Sequence, residues 1–460
     1  MPTRFRLEDP HLREVLHRIE HTIRCGGGRV WLVGGCVRDL ALGRQPRDLD
    51  IEVVGLSPGQ VHALLAEQFS IQFVGKVFQV FKLQGLPIDL SIPSRRLADD
   101  TSLPGLLRQA DPDMSIDEAL TRRDFTINAM AWDPDTMELR DPFNGRGDLD
   151  SRILRHASTR FAEDPLRVLR GMQLSARFEL TVAPETVALS RTLSQESLPS
   201  ERLWEEWKKL LLQGRKPSLG LQFLHHCGWL RFYPELAALE GCPQDPIWHP
   251  EGDVWVHTLH CLDWFAAERT GDESDDLAVG LGVLCHDFGK PATTKDEYGV
   301  VTSRGHESEG AGPTRRFLQR LTNQHDLIDE VVPLVCCHLR PRALYDADAS
   351  DSAVRRLAKQ VRRIDRLVRV ARADHAGRPP KQFDGFPAGE WLLTRAKRLV
   401  VDRRAPLPIV MGRHLLKLGV QPGPDMGRLL EDCYEAQLDG DVGTLEDGLA
   451  YVKSRLSGPN

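Results

Sequence analysis

The most constraining feature of the chain lies between Trp31 and Glu52, where it reads WLVGGCVRDLALGRQPRDLDIE. An apolar run at 29–33 has the composition of a strand and stops at Gly34–Gly35. A helical pattern starts near Cys36, and a second apolar strand opens on Asp48-Leu49-Asp50. Successive strand side chains point to opposite faces, so Asp48 and Asp50 share one side while Leu49 enters the core. Two carboxylates held side by side repel each other unless a cation lies between them. Magnesium, a hard ion that binds carboxylate and phosphate oxygens together, meets that need. Asp89, in a further apolar strand at 88–92, is the expected third carboxylate, and such a triad supports two-ion chemistry at a phosphate. The side-chain-free pair Gly34–Gly35 lets a phosphate approach the backbone, and Arg38, in the first helical turn, reaches toward the same phosphates.

Strand-like runs at 71–74, 77–83 and 127–132 alternate with short helical or turn segments, the pattern of a mixed α/β unit. From Thr159 the period becomes helical. Between Arg160 and Phe178 apolar residues recur at 166, 169, 172 and 176, and Pro165 suits a first turn. A His- and Asp-rich zone, helical throughout, runs from about 246 to 378, and a Pro/Gly-marked break precedes a helical tail. The expected fold class is therefore α+β, in four parts: a head with a mixed sheet (1–150), a helical neck (151–240), a helical domain (241–380) and a helical tail (381–460). With 60 basic against 66 acidic residues the net charge is −6, so a chain-wide basic surface is excluded and any nucleic-acid contact must be a local patch. No apolar run approaches the length of a membrane span, and the charged start MPTRFRLEDPHLREVL is not that of a signal peptide. Nine scattered cysteines without a CxxC pair read as reduced thiols, so a cytoplasmic location is expected.

Two further groups carry chemistry. Arg122, Arg123, Asp124 and Asn128 lie beside a strand of the expected sheet, where arginine can grip triphosphate oxygens and Asn128 can bond a ribose or phosphate. On the following helix, residues 163/164, 167 and 170 fall on one face. A carboxylate and a guanidinium fixed together present an acceptor and a fork of donors to a base edge. One such pair suits both cytosine and adenine and rejects the keto-rich edges of uracil and guanine.

GGCVRD followed by DLD resembles the polymerase-β nucleotidyltransferase superfamily. More narrowly, it is similar to the bacterial tRNA nucleotidyltransferases (CCA-adding enzymes) and the bacterial poly(A) polymerases. The likeness continues through RRDFTINAMA (122–131), EDPLRVLR (163–170) and ERLWEEWKKLL (201–211). It implies a polymerase-β-like head that adds CCA, or its terminal A, to the tRNA 3′ end from CTP and ATP, without a nucleic-acid template. Asp48 and Asp50 would hold magnesium and, with Asp89, form the catalytic triad. Gly34, Gly35, Arg38, Arg123 and Asn128 would bind the nucleotide, Asp164 and Arg167 would act as a protein template, and Arg170 would lie near the phosphates. Poly(A) synthesis is the alternative within the same class. Gln173 stands where some relatives extend the arginine ladder. The segment 91–114 has three arginines and four aspartates where relatives that add the final A carry a basic loop; its length is not shortened, which argues against a CC-only enzyme.

In the third part, His257, His286-Asp287 (within HDFGKP), His306, His338 and Asp374 resemble the HD superfamily of metal-dependent phosphohydrolases. Imidazoles and carboxylates at these separated positions can converge on one or two transition-type divalent ions that activate water. The resemblance implies cyclic phosphates or phosphomonoesters at RNA ends as substrates. His249 fits a structural role as well as a ligand's. The basic stretches 355–372 and 394–404 read either as phosphate-tracking surfaces or as solvated helix faces.

Overall fold

The structure, a computed structural model, describes residues 5, 7–74, 80–96 and 108–456. Two compact units emerge: Met1–Leu198 with Gln222–Trp229, and Pro199–Leu221 with Leu230–Asn460.

In the first unit, helix α1 (Pro10–Cys25) starts where the Asp9 carboxylate accepts the amides of His11 and Leu12. Strand β1 (Arg29–Val33) then runs into helix α2 (Gly35–Ala41), and β2 (Leu49–Val54) leads to α3 (Pro58–Ala66). Strands β3 (Ile71–Val74), β4 (Val80–Leu83) and β5 (Ile88–Ser91) follow, then a ribbon of β6 (Ser94–Arg96) and β7 (Arg108–Ala110). Helix α4 (Ile116–Leu120), strands β8 (Ala131–Trp132) and β9 (Leu139–Arg140), and helix α5 (Gly145–Asp150) close the head. The main sheet has the order β3-β4-β5-β2-β1-β8-β9. Its one parallel pair, β2 with β5, sets Asp50 opposite Asp89. Leu49, Ile51, Val53, Ile88 and Leu90 are buried, while Asp50 and Asp89 sit on the other face, as strand alternation requires.

Two local expectations are corrected. Of the strand expected at 127–132, only Ala131–Trp132 forms; Thr126–Asn128 is a 3-10 turn. The Thr126 hydroxyl bonds Asp148 (2.7 Å) and the Asn128 amide bonds Asp124 (3.0 Å), and these side-chain bonds compete with a sheet ladder. The helix expected from Arg160 begins instead at Leu166: α6 spans Leu166–Phe178, after a 3-10 turn at Thr159–Glu163. Asp164 is extended (φ −137°, ψ 102°) because the ring of Pro165 disfavours helical backbone in the residue before it. Glu163 and Asp164 thus precede the helix, and only Arg167 and Arg170 share its spacing.

The second unit is helical apart from an exposed hairpin of Lys295–Glu297 and Val300–Thr302. Helices Ser200–Gln213, Val254–Ala267, Glu273–Cys285, Ala311–Leu321, His325–Cys337 and Ile364–Ala376 surround a core in which Trp207, Tyr233 and Phe317 meet edge to face. Toward the C-terminus, Val410, Leu415, Met426, Cys433 and Val452 form a separate small core. Among the described residues no helix is long and apolar enough to cross a membrane.

Candidate active site and a second donor cluster

Three features of the head converge on one spot: the end of β1, the start of β2 and the middle of β5. Asp48 is exposed in the bend before β2, Asp50 is half-buried on β2, and Asp89 lies beside it on β5. Burial first, and then the charges of Asp48 and Asp89, push the Asp50 carboxyl above the usual range, against the pull of Arg123 and Arg170. A carboxylate crowded by two others and partly withdrawn from water fits a divalent cation. Lys82, the cross-strand partner of Asp89 in β4, lies 2.9 Å from it.

Gly34 explains why the turn before α2 has no side chain. Its φ is +71°, and a Cβ there would lie 2.6 Å from Arg123 Nη1 and 3.3 Å from Asp50 Oδ2. The Asp50 carboxylate therefore faces the glycine turn, and the Arg123 guanidinium sits across it. Arg123 donates to Glu52 (3.0 Å), and Glu52 with Asp50 outweighs the effect of burial, raising the arginine above its ordinary value. Glu52 had no assigned role, yet it continues the i, i+2 series of Asp48 and Asp50 and was legible from strand period alone.

The remaining head residues form a hydrogen-bonded chain. Arg38 is buried: it donates to Asn128 Oδ1 (2.8 Å) and to Asp39 (2.8 Å), and lies over the Phe178 ring at 4.3 Å. The Asn128 amide donates to Asp124, which also accepts from Arg170 Nε (2.7 Å) and from the amide of Phe125 (2.8 Å). Burial alone would raise the Asp124 carboxyl, but Arg170 and these donors bring it down to about 2. Arg38 and Asn128 thus brace one another. Arg167 is buried and donates to the carbonyls of Arg160 (2.8 Å) and Arg122, while Asp164 accepts the amide of Leu166 (3.1 Å). Gln173 is buried in α6. Residues 97–107 of the expected loop at 91–114 lie outside the described residues; within β6 and its surroundings Arg95 pairs with Asp111 and Glu118.

In the second unit all six expected donors are buried together: His257, His286, Asp287, His306, His338 and Asp374. His286 and His338 each follow a helix, and each turns Nδ1–H back onto a carbonyl three residues earlier, Val283 and Val335, at 2.7 Å. His306 does likewise with Ser303 (2.8 Å). His257 Nδ1 faces Glu251 (2.7 Å) and the Gly377 carbonyl (3.1 Å). Each of the four Nδ1 atoms is thereby committed as a donor, and each Nε2 points inward. There they meet Asp287 and Asp374: His286 at 3.2 Å and His306 at 3.3 Å from Asp287, and His257 at 3.1 Å from Asp374.

The inner atoms are poorly satisfied. His286 Nε2 and both Asp287 oxygens are buried without an aligned hydrogen bond, although Lys290 Nζ comes within 2.7 Å of Asp287. His306 is raised, the charge of Asp287 overcoming burial, while burial and His286 push His338 down to about 3. The Nε2 atoms of these two histidines lie 3.3 Å apart, and with Asp287 they offer ligand atoms close enough together to fit one divalent cation. Gly289 is the tightest point of the HDFGKP turn, for a Cβ there would collide with the carbonyl oxygen of His306.

Glu251 was not foreseen. It is a wholly buried carboxylate shared by His249 (2.9 Å) and His257 (2.7 Å). Glu251→Gln is expected to weaken divalent-ion binding about 10- to 100-fold, by loosening the orientation of His257. Titration of the apoprotein with Mn²⁺ measures this, and an unchanged affinity contradicts it.

The basic stretches resolve toward ion pairing within the fold. Arg356 and Lys359 pair with Glu435, Arg363 and Arg366 with Asp275, and Arg369 with Asp276. Arg395 and Arg398 pair with Asp351. Their partners lie mostly far along the sequence, which a local reading of charge runs does not register.

Comparison with known proteins bears on the head and on the overall fold. Residues 30–155 match the family model described as the poly A polymerase head domain, and residues 179–239 match that of a probable RNA and SrmB-binding site of polymerase A. A CCA-adding enzyme of Bacillus stearothermophilus, solved with CTP, superposes with a TM-score of 0.65 at 22% identity, over 97% of this chain and 98% of that one. A Thermotoga maritima CCA-adding enzyme solved with tRNA gives a TM-score of 0.59 at 21% identity, over 98% and 96%. A CCA-adding enzyme solved with ATP gives 0.61 at 22%, over 98% and 96%. These likenesses show the fold over nearly the full length. The two matching segments place residues 30–155 with poly A polymerase head domains and residues 179–239 with the probable RNA-binding site of polymerase A.

Proposed function

We propose that the chain is a cytoplasmic tRNA nucleotidyltransferase, adding CCA or its terminal A to the tRNA 3′ end from CTP and ATP. The observation that carries this reading is the Asp48–Asp50–Asp89 cluster, whose Asp50 faces the Gly34 turn with Arg123 across it. Magnesium held by Asp48 and Asp50 supplies charge neutralisation at the phosphates and activation of the attacking hydroxyl. The tRNA 3′ oxygen attacks the α-phosphorus of the nucleotide, and pyrophosphate leaves. Arg123, fixed by Glu52, presents its remaining donors to the triphosphate; the Arg38–Asn128 pair holds the sugar side; Arg170, fixed by Asp124, stands by the phosphates. Asp164 and Arg167 select the base.

The test uses three tRNAs, ending at the discriminator base, after one C, and after CC, incubated with CTP and ATP. Extension that halts at CCA supports the reading. A tail of unlimited A identifies a poly(A) polymerase instead, and no extension of any substrate overturns both.

The RNA phosphates have a natural landing place beside the head site. Arg38, Arg44 and Arg177 gather around the Phe178 ring, and Arg177 is lowered by burial and then by Arg38, with Arg47 and Arg44 adding to the repulsion and Asp39 opposing it. Arg44 and Arg47 are exposed. Replacing both by Ala is expected to reduce the slope of log K for tRNA against log salt by about 2, one per lost phosphate contact. An unchanged slope would remove RNA from this patch.

A second activity is supported by the buried donors of the second unit, whose mixed nitrogen and oxygen set suits a transition-type divalent ion. We read it as a phosphohydrolase centre acting on phosphoesters at RNA ends. Hydrolysis that survives Asp48→Ala and is lost with His286→Ala is the expected result.

A further inference from the structure

Cys261 is wholly buried in the second unit, one helical turn after His257 on the helix Val254–Ala267. Residues four apart on a helix share a face, so the thiol and the imidazole meet at one spot. Cys261 Sγ lies 3.3 Å from His257 Nε2, and the ligand atoms of His257, Cys261 and His286 all fall within 4.8 Å of one another. Other buried cysteines are placed differently. Cys36, Cys227 and Cys433 each turn Sγ toward a main-chain carbonyl, those of Val33 (3.1 Å), Leu224 (3.6 Å) and Gly448 (3.8 Å), as thiols that only fill space can do. For Cys261 the carbonyl of Asp374 is 4.0 Å away, and the imidazole nitrogen is nearer.

The thiol is also held from its far side. A Cβ on Gly377 would lie 2.3 Å from Cys261 Sγ and 2.9 Å from its amide nitrogen, so the end of the helix Ile364–Ala376 presses directly on Cys261. That close approach brings Asp374 Oδ1 to 3.1 Å from His257 Nε2, and the Gly377 carbonyl to His257 Nδ1. With Nδ1 committed as a donor, His257 Nε2 carries a lone pair and faces those of a carboxylate and a sulfur. His286 Nε2, buried without a hydrogen-bond partner, joins the group. Electron-rich atoms gathered this closely need a positive charge among them.

The donors of the second unit thus sort into two sets. Asp287, His306 and His338 offer nitrogen and oxygen alone, whereas His257, His286 and Cys261 include sulfur. Thiolate is a soft ligand that suits zinc, while manganese and magnesium prefer oxygen. We propose that Cys261 is a metal ligand, and that with His257 and His286 it forms an ion position selective for a thiophilic ion of the zinc class. The thiol S–H bond breaks as the metal–sulfur bond forms, and the proton leaves to solvent. The proposal rests on the reading of the second unit as a divalent-ion centre, and adds which kind of ion one of its positions takes.

The test is X-ray absorption at the zinc edge of the full-length, Zn²⁺-loaded protein, together with Zn²⁺ and Mn²⁺ titrations of the apoprotein. A sulfur shell at about 2.3 Å is expected in the parent, beside nitrogen and oxygen at about 2.0–2.2 Å, and is expected to vanish in Cys261→Ser. The carboxylates of the head offer oxygen alone, so zinc held there adds no sulfur shell. Cys261→Ser is expected to weaken Zn²⁺ at least about tenfold, no less than the loss of a group that merely orients a ligand, with Mn²⁺ affinity unchanged. A sulfur shell that persists in Cys261→Ser puts the zinc on another cysteine and overturns the proposal. Zinc that depends on His286 but has only nitrogen and oxygen neighbours overturns it as well, and leaves the divalent-ion centre standing. Equal weakening of Zn²⁺ and Mn²⁺ makes the thiol a packing element, again overturning it. If no ion is lost in His286→Ala, the proposal and the ion-centre reading fall together.

Discussion

Asp50→Ala is expected to lower nucleotide incorporation roughly 10³-fold or more, the equivalent of losing several kcal/mol of charge stabilisation at the reacting phosphate. Asp50 is the most enclosed of the three carboxylates: it faces the Gly34 turn and Arg123, and its neighbours include both other acids. The same substitution is expected to leave the fold intact. A carboxyl raised above its ordinary value is one whose ionised form the folded state disfavours. Asp50→Asn should therefore be no less stable than the parent in the presence of chelator, though it is inactive. Thermal melts alongside single-turnover incorporation separate the two effects. Near-parental incorporation by either variant would sink the assignment of this cluster as the catalytic centre.

Asp124→Ala makes the opposite case, a loss of stability first and of activity through it. Asp124 is buried and joins Arg170, Asn128 and the Phe125 amide. Removing it takes the buried Asp124 charge away from the Arg170 guanidinium and frees Asn128 from one of its two fixed bonds. A cost of about 3–5 kcal/mol is expected, lowering the melting midpoint of the head by about 10 °C. The pH dependence has a definite sign. Because the folded carboxyl is lowered to about 2, its contribution is present in full above the ordinary aspartate range and is lost as pH falls from about 4 toward 2. The difference in stability between parent and Asp124→Ala should therefore shrink over that interval. A difference that stays constant from pH 5 to pH 2 would mean that Asp124 acts without its charge.

The contrast between these two aspartates marks how far the sequence could be read. Strand period put Asp48 and Asp50 on one side, because alternation is a local rule of the backbone, whereas the pairing of β2 with β5 that sets Asp89 beside Asp50 is not local. The same rule extends to Glu52, which holds Arg123. Helical spacing failed at Asp164, where Pro165 overrides it, and the strand expected at 127–132 gave way to side-chain bonds from Thr126 and Asn128. Asp124 looked like one member of a charged triplet; its place between Arg170 and Asn128 depends on α6 returning against the head.

The second unit divides in the same way. His286-Asp287 and Gly289 announce themselves within six residues, because a tight turn and a donor pair are short-range features. Glu251 became visible only with His257 and His249 around it, and the arginines of 355–372 lost their appeal as an RNA surface once Asp275, Asp276 and Glu435 were seen beside them. What the sequence determined by itself, then, was the kind of chemistry: which donors exist, and which share a strand face or a turn. Only the tertiary structure decided which charges are already spent on one another and which remain to meet a ligand, since electrostatic partnership depends on distance in space, and folding sets that distance independently of separation along the chain.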